Sequence, residues 1–347
     1  MIGMTANTKK QRPESLSGQG SQKQFGWILA ATLGSLVVLY LLVQVVMLSL
    51  QYDALQDLAT GHAYRGESIL SFIIEHWRPS SQTYFFRALA RADQGRIMLA
   101  QRDLDTALSL GEPKQRVLLA RAAMDTQRRD HVDAITHCTE AISHDASYVE
   151  AYKLRAVDHL RAQQYDQCVA DASKALELGT NTGSRAKLLE VRAFAMAATG
   201  HLNEAVDDFN QSLQIHSSNG IRVRLGDALV RAGRFSEAAT NYATVAAAKA
   251  PVQQRYVALV KEGYCESKIG RPEEAFNTFS QAIKLNKRGS MAYVERGRLL
   301  QKQGRQKEAA SDFAMALQLN PGANPDRENL DVNLPVLTHR AEQSGRP

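Results

Sequence analysis

Three cysteines and nine histidines are the side chains of this 347-residue sequence best suited to hold a metal or to attack a substrate. Their spacing argues against either role. Cys138, Cys168 and Cys265 match no metal-ligand pattern. Buried thiols are the favoured reading of them, and a Cys138 to Cys168 bridge stays open on proximity alone. His131, His137 and His144 stand 6 and 7 residues apart, not the i, i+4 of a zinc-binding helix. His62 and His201 each follow a glycine, which suits a turn. No Gly-x-Ser-x-Gly, phosphate loop or dinucleotide fingerprint occurs. The expectation is a chain with no catalytic residue, cofactor, metal or small-molecule substrate.

What organises the chain is a repeat. A small residue recurs as Gly66, Ala100, Ala134, Cys168, Ala205, Ala238, Ala275 and Ala309, at intervals of 34, 34, 34, 37, 33, 37 and 34. Before four of these stands one turn in near-copies: Gly-His-Leu-Asn-Glu-Ala at 200–205, Gly-Arg-Phe-Ser-Glu-Ala at 233–238, Gly-Arg-Pro-Glu-Glu-Ala at 270–275 and Gly-Arg-Gln-Lys-Glu-Ala at 304–309. Arg129 and Gln163 replace the turn glycine in two units, and the unit at Gly66 is the least regular. Each unit reads as two helices and a turn. In the last, Tyr293, Gly297 and Leu300 share one helical face, and Ala309, Phe313 and Ala316 share the face of the second helix. Gly297 and Ala309 permit close approach of the backbones, and Tyr293 and Phe313 fill the space beside it. The two 37-residue intervals place extra residues near Gly179 to Gly183 and near Lys249 to Gln253.

This pattern resembles the tetratricopeptide repeat, a helix-turn-helix unit that stacks into a solenoid. The resemblance implies an all-α, right-handed superhelical solenoid of seven or eight repeats over residues 51–321. It also implies that the first helix of each repeat lines a concave groove for a partner's peptide or helix. Carried over, the groove positions are Phe85, Leu89, Leu119, Lys153, Val157, Glu190, Phe194, Val223, Asp227, Val260, Tyr264, Val294 and Arg298. Phe194, Val223, Val260 and Tyr264 are expected to face into the groove, with Glu190, Asp227 and Lys268 setting register. For Leu119 and Val157, packing between neighbouring helices is an equal reading. Repeat proteins that clamp acidic C-termini of chaperones place Lys and Asn four apart, whereas Lys153 is followed by Val157 here. A protein or peptide partner is expected, of another chemistry.

Composition agrees. At 7% aromatic, the chain suits a thin core filled by Ala and Leu. The net charge of +6 is scattered over helices rather than gathered in a run, which argues against nucleic acid.

Residues 1–24 hold Lys9, Lys10, Arg12 and Lys23 among Ser, Gln, Gly and Pro, and read as an unfolded basic tail. Phe25 to Leu50 carries no charge and is long enough to span the ~30 Å core of a bilayer. A cleaved signal is disfavoured, because its apolar core is only ~7–15 residues long and Leu48-Ser49-Leu50 is a poor cleavage site. The basic flank lies before the span and Asp53, Asp57 and Glu67 after it, so the tail is expected in the cytoplasm and the repeats outside it. In a bacterium this means a single-pass inner-membrane protein with periplasmic repeats; in a eukaryote, repeats in a lumen or outside the cell. The span is expected to run on into the first helix of the first repeat, with Gly61 ending it and Ser68 to His76 forming the second helix. Trp77 reads as a core residue at a repeat joint, with lipid headgroups as the other reading. Residues 322–347 are expected to supply a cap through Leu330, Val332, Leu334, Val336 and Leu337, then a loose end.

The function these features imply is a membrane-tethered, non-enzymatic scaffold that binds a protein in an envelope assembly. The alternatives are an accessory subunit of a secretion or envelope enzyme machine, and a cytosol-facing import receptor or co-chaperone.

Overall fold

The computed structural model describes residues 18–77 and 79–322, with side chains from residue 37 onward. Lys9, Lys10 and Arg12 of the expected tail, and the expected cap from Leu330 to Leu337, lie outside the described residues. Among the described residues there are sixteen α-helices and no strand, paired into eight hairpins. The chain divides into two compact units, Met1–Glu112 and Pro113–Pro347.

The first unit holds α1 (Gly18–Ala59), α2 (Ala63–His76), α3 (Ser81–Asp93) and α4 (Ile97–Ser109). α1 is one unbroken helix of 42 residues that carries the apolar stretch straight into the first hairpin, as expected. It differs from expectation at its start, since it begins at Gly18 rather than Phe25. Ser21-Gln22-Lys23-Gln24 contains no helix breaker, so an apolar helix propagates back through it. α2 is also longer than the expected Ser68 to His76. Its Gly66 packs 3.1 Å, by the place a Cβ would take, from the Ala54 carbonyl oxygen of α1, and Leu70 and Ile73 fill the joint. Buried Glu67 then binds the next hairpin, accepting from Arg91 Nε at 2.8 Å, Gln94 Nε2 at 2.9 Å and Arg96 Nη1. Burial alone would raise the Glu67 pKa, but these bonds and the Arg96 and Arg91 charges hold it below the usual carboxylate value.

The second unit holds six hairpins: α5 (Lys114–Arg128) with α6 (His131–His144), α7 (Val149–Arg161) with α8 (Tyr165–Leu178), α9 (Thr182–Ala198) with α10 (Leu202–Ile215), α11 (Asn219–Arg231) with α12 (Phe235–Ala247), α13 (Val252–Lys268) with α14 (Pro272–Leu285), and α15 (Ser290–Lys302) with α16 (Gln306–Leu319). The extra residues of the two long intervals do not form loops. They lengthen α9 and α13 to 17 residues each, against 13 for α7, α11 and α15.

Every hairpin turns the same way. The residue five before each member of the small-residue ladder is left-handed: Gly61, Gly95, Arg129, Gln163, Gly200, Gly233, Gly270 and Gly304, with φ between 59° and 91°. The next amide then reaches back five residues, as in Arg234 N to Leu229 O at 2.8 Å and Arg305 N to Leu300 O at 2.9 Å, which satisfies a carbonyl at the end of the first helix. The ladder residues themselves are fully buried in the first turn of each second helix.

Size is matched across most of the joints. A Cβ on Gly226, Gly263 or Gly297 would stand 2.6, 2.8 and 2.6 Å from a ring carbon of Tyr242, Phe279 and Phe313. Where the first helix carries alanine instead, the buried residue 16 positions on is smaller: Leu70 after Ala54, Leu104 after Ala88, Cys138 after Ala122 and Ala172 after Ala156. Ala193 with Phe209 is the exception.

Candidate partner-binding face

In the second unit, first helices touch one another at α5 with α7, α7 with α9 and α13 with α15. That places these first helices side by side along one face of the stack. A polar staple fixes the angle between hairpins. Arg155, Arg192 and Arg296 each fork onto an aspartate 16 residues on, Asp171, Asp208 and Asp312, at 2.7–2.9 Å. The same guanidinium donates backwards to a hydroxyl on the preceding second helix: Thr139 at 2.9 Å, Ser173 at 3.0 Å and Ser280 at 3.0 Å. One arginine therefore joins three helices. Arg87, Asp103 and Ser71 make the same set in the first unit. An Arg, Asp pair recurring at a spacing of 16 was the sequence signal for this device.

The staple is missing from α11, where Leu225 and Asn241 take the two places, and from α13. Glu262 takes the arginine's place and Thr278 the aspartate's. Burial, with the Glu266 carboxylate one turn on, pushes Glu262 up to about 7. Burial likewise raises Glu266, whose Oε2 has no hydrogen-bond partner.

The expected groove residues divide by exposure. Phe85 and Leu89 belong to the first unit, where Phe85 is buried and Leu89 half-buried. In the second unit, Phe194 and Val260 are only 4% and 1% exposed, so the expectation that they face open into a groove does not describe them. Phe194 packs with Leu160, Leu188 and Val191, and Val260 with Val245, Tyr256 and Leu259. Each lies where α9 or α13 meets its neighbours, and the hydrophobic gain of filling that joint outweighs exposure. Asp227 is 1% exposed and accepts from Tyr242 Oη and Lys261 Nζ, both at 2.5 Å, so it binds α11 to α12 and α13. Glu190 and Val294 are buried too.

Lys153, Val223, Tyr264 and Arg298 are half-buried, with Leu119 and Val157. Lys153 Nζ donates to Ser184 Oγ of α9 at 3.0 Å. Arg224 pairs with Glu190 across α11 and α9, and Arg298 with Glu295 within α15. The Tyr264 ring sits edge-on to Phe235 at 6.5 Å, with Lys268 Nζ over it at 5.1 Å. Along this face, apolar patches thus alternate with fixed charge pairs that link successive first helices.

The chemistry-bearing residues serve packing. Cys138, Cys168 and Cys265 are buried free thiols, not bridged. Burial pushes each up to about 12, far from a reactive thiolate. His131 Nδ1 meets fully buried Asp158 at 2.8 Å, and Thr126 Oγ1 donates to the same carboxylate at 2.7 Å. His137 pairs with Asp125 at 2.8 Å in the same way. Among the described residues, no group of three or more His, Cys, Asp or Glu is placed to hold a metal.

In the first unit, α1 offers a different surface. Val37–Ala59 is long and apolar enough to cross a membrane, and its mean hydropathy is 1.7. Val37, Val38, Leu41, Leu42, Val45, Val46 and Leu48 on it stand 55–64% exposed.

A model of the tetratricopeptide repeat family matches residues 261–324, from α13 to the end of α16. The chain is 26% identical over 243 residues to human Tetratricopeptide repeat protein 16, an alignment that takes in 62% of this chain and 28% of that protein. Among solved structures, it is similar to a tetratricopeptide repeat protein from Parabacteroides merdae, with a TM-score of 0.48 and 16% identity over 70% of this chain and 94% of that one. It is also similar to YrrB, described as "a TPR protein with an unusual peptide-binding site", with a TM-score of 0.44 and 18% identity over 53% and 93% of the two chains.

Proposed function

Because the chain is a tetratricopeptide-repeat protein, we propose that it is a non-enzymatic scaffold, tethered to a membrane by α1, that holds a protein partner on the first-helix face of its second unit. The observation that carries this reading is the row of half-buried residues from Lys153 through Val223 and Tyr264 to Arg298. An apolar ring framed by fixed charge pairs suits an extended peptide or an amphipathic helix: side chains bury against Val223 and Tyr264, and the charges set its register.

The tether follows from α1, whose apolar residues would be costly to leave in water. Basic residues before it and acidic ones after it favour a cytoplasmic N-terminus with the repeats outside. Such a protein would work as an assembly platform in an envelope complex or as the non-catalytic subunit of an envelope machine.

The test is capture of the partner by the full chain in its own membrane. Tyr264→Ala is expected to weaken capture by about 1–3 kcal/mol with helicity unchanged, whereas Lys284→Ala and Gln318→Ala, both on exposed sites of second helices, leave it intact. Equal capture by all three variants would remove the first-helix face from the account.

A further inference from the structure

The first hairpin is unlike the others in that its first helix is also the apolar one. From the turn at Gly61, α2 runs back along α1, and its end brings Trp77 against Tyr40, with ring centroids 6.3 Å apart and planes at 34°. Tyr40 lies inside the uncharged stretch that starts at Phe25. At about 1.5 Å per residue, a helix entering hydrocarbon after Lys23 and Gln24 leaves a core of about 30 Å some twenty residues on, near Val43 and Gln44. Tyr40 is one turn short of that point, and its hydroxyl accepts from Gln44 Nε2 at 2.8 Å. Tyrosine and tryptophan favour this boundary, where the ring meets lipid chains and the polar tip meets water.

We propose that the Tyr40 and Trp77 pair sits at the boundary between hydrocarbon and headgroups, so that the last turn of α2 rests on the lipid surface and gives the anchor a second point of contact. The inference rests on the reading of α1 as a membrane span. The occupant is lipid rather than a protein helix because the surface continues the apolar row of Val37, Val38, Leu41 and Leu42 on the hydrocarbon side of that boundary, each more than half exposed. Phe72, 44% exposed, extends it on α2 and stacks on His76 at 4.5 Å. Glu75 and His76 beside it are exposed, which suits headgroups and excludes the hydrocarbon interior. Two contacts on different helices would fix the tilt of the first hairpin against the membrane.

The chain has two tryptophans, Trp27 and Trp77, so each single Trp→Phe variant reports one position. Both full-length variants are reconstituted into phosphatidylcholine vesicles with lipid brominated near the headgroup end or near the methyl end of the chain, and insertion is checked by flotation. In Trp27→Phe, Trp77 fluorescence is expected to be quenched roughly twofold more by the shallow bromines than by the deep ones. Quenching of Trp27 in Trp77→Phe with none of Trp77 in Trp27→Phe would overturn the proposal and keep the span. Quenching of neither would overturn the span and the proposal together, and stronger quenching of Trp77 by deep bromines would overturn the assigned depth.

Discussion

At the scale of single residues, two positions are under backbone strain that their neighbours escape. Arg129 and Gln163 hold φ of 63° and 59° at turns where the other six repeats have glycine. A side chain in the left-handed region costs roughly 1–2 kcal/mol. Arg129→Gly and Gln163→Gly are each expected to raise the unfolding free energy by about 1 kcal/mol in a denaturant titration; a lower midpoint would show that these side chains contribute more than the strain costs. The reverse experiment overfills a joint. Gly297→Ala is expected to cost about 1–3 kcal/mol against the Phe313 ring, and Phe313→Leu added to it should recover part of the loss, as in the Ala88 with Leu104 joint. A double-mutant cycle with no coupling would contradict the size matching. These features were legible in the sequence because the ladder of small residues and the turn five residues before it are local. The burial of Phe194 and Val260 was not, since whether such a position opens into a groove depends on how closely the next first helix approaches, and spacing within one helix does not carry that distance.

At the scale of elements, the arginine staple sets how one hairpin meets the next. Arg192 and Asp208 are mostly buried, so removing one partner strands a charge. Asp208→Ala is expected to cost about 3–5 kcal/mol, with faster hydrogen exchange confined to α8, α9 and α10, because repeats couple to nearest neighbours. Exchange rising evenly over all six hairpins of the second unit would contradict that coupling. At α13, Glu262 stands where the staple arginine belongs, and burial beside the Glu266 carboxylate pushes its pKa from the usual 4.5 up to about 7. The folded state therefore keeps a proton that the unfolded chain has already lost between those values, and stability falls as pH rises through that window. Glu262→Gln is expected to raise the melting temperature at roughly pH 8 and leave it nearly unchanged at roughly pH 4; an equal gain at both would show that the carboxylate is not the cause. The pattern of Arg and Asp 16 residues apart was present in the sequence at four repeats, yet each pair reads locally as ordinary solvated charge. Only the stacking shows that the guanidinium also reaches back to Ser or Thr on another hairpin.

At the scale of the whole molecule, the account makes a claim of place and a claim of use. The claim of place is that the repeats lie outside the cytoplasm. Replacing Lys9, Lys10, Arg12 and Lys23 with Gln is expected to give mixed orientation, read by protection of the repeats from a protease confined to the outer face; complete protection in the unaltered protein would refute it. The claim of use is the central one. A photo-crosslinking side chain placed at Val223 or Tyr264, and separately at Lys284 or Gln318, tests it in membranes that carry the full chain. The account predicts one adduct of the same mass from Val223 and Tyr264 and none from Lys284 and Gln318; adducts arising only from Lys284 or Gln318 would contradict it.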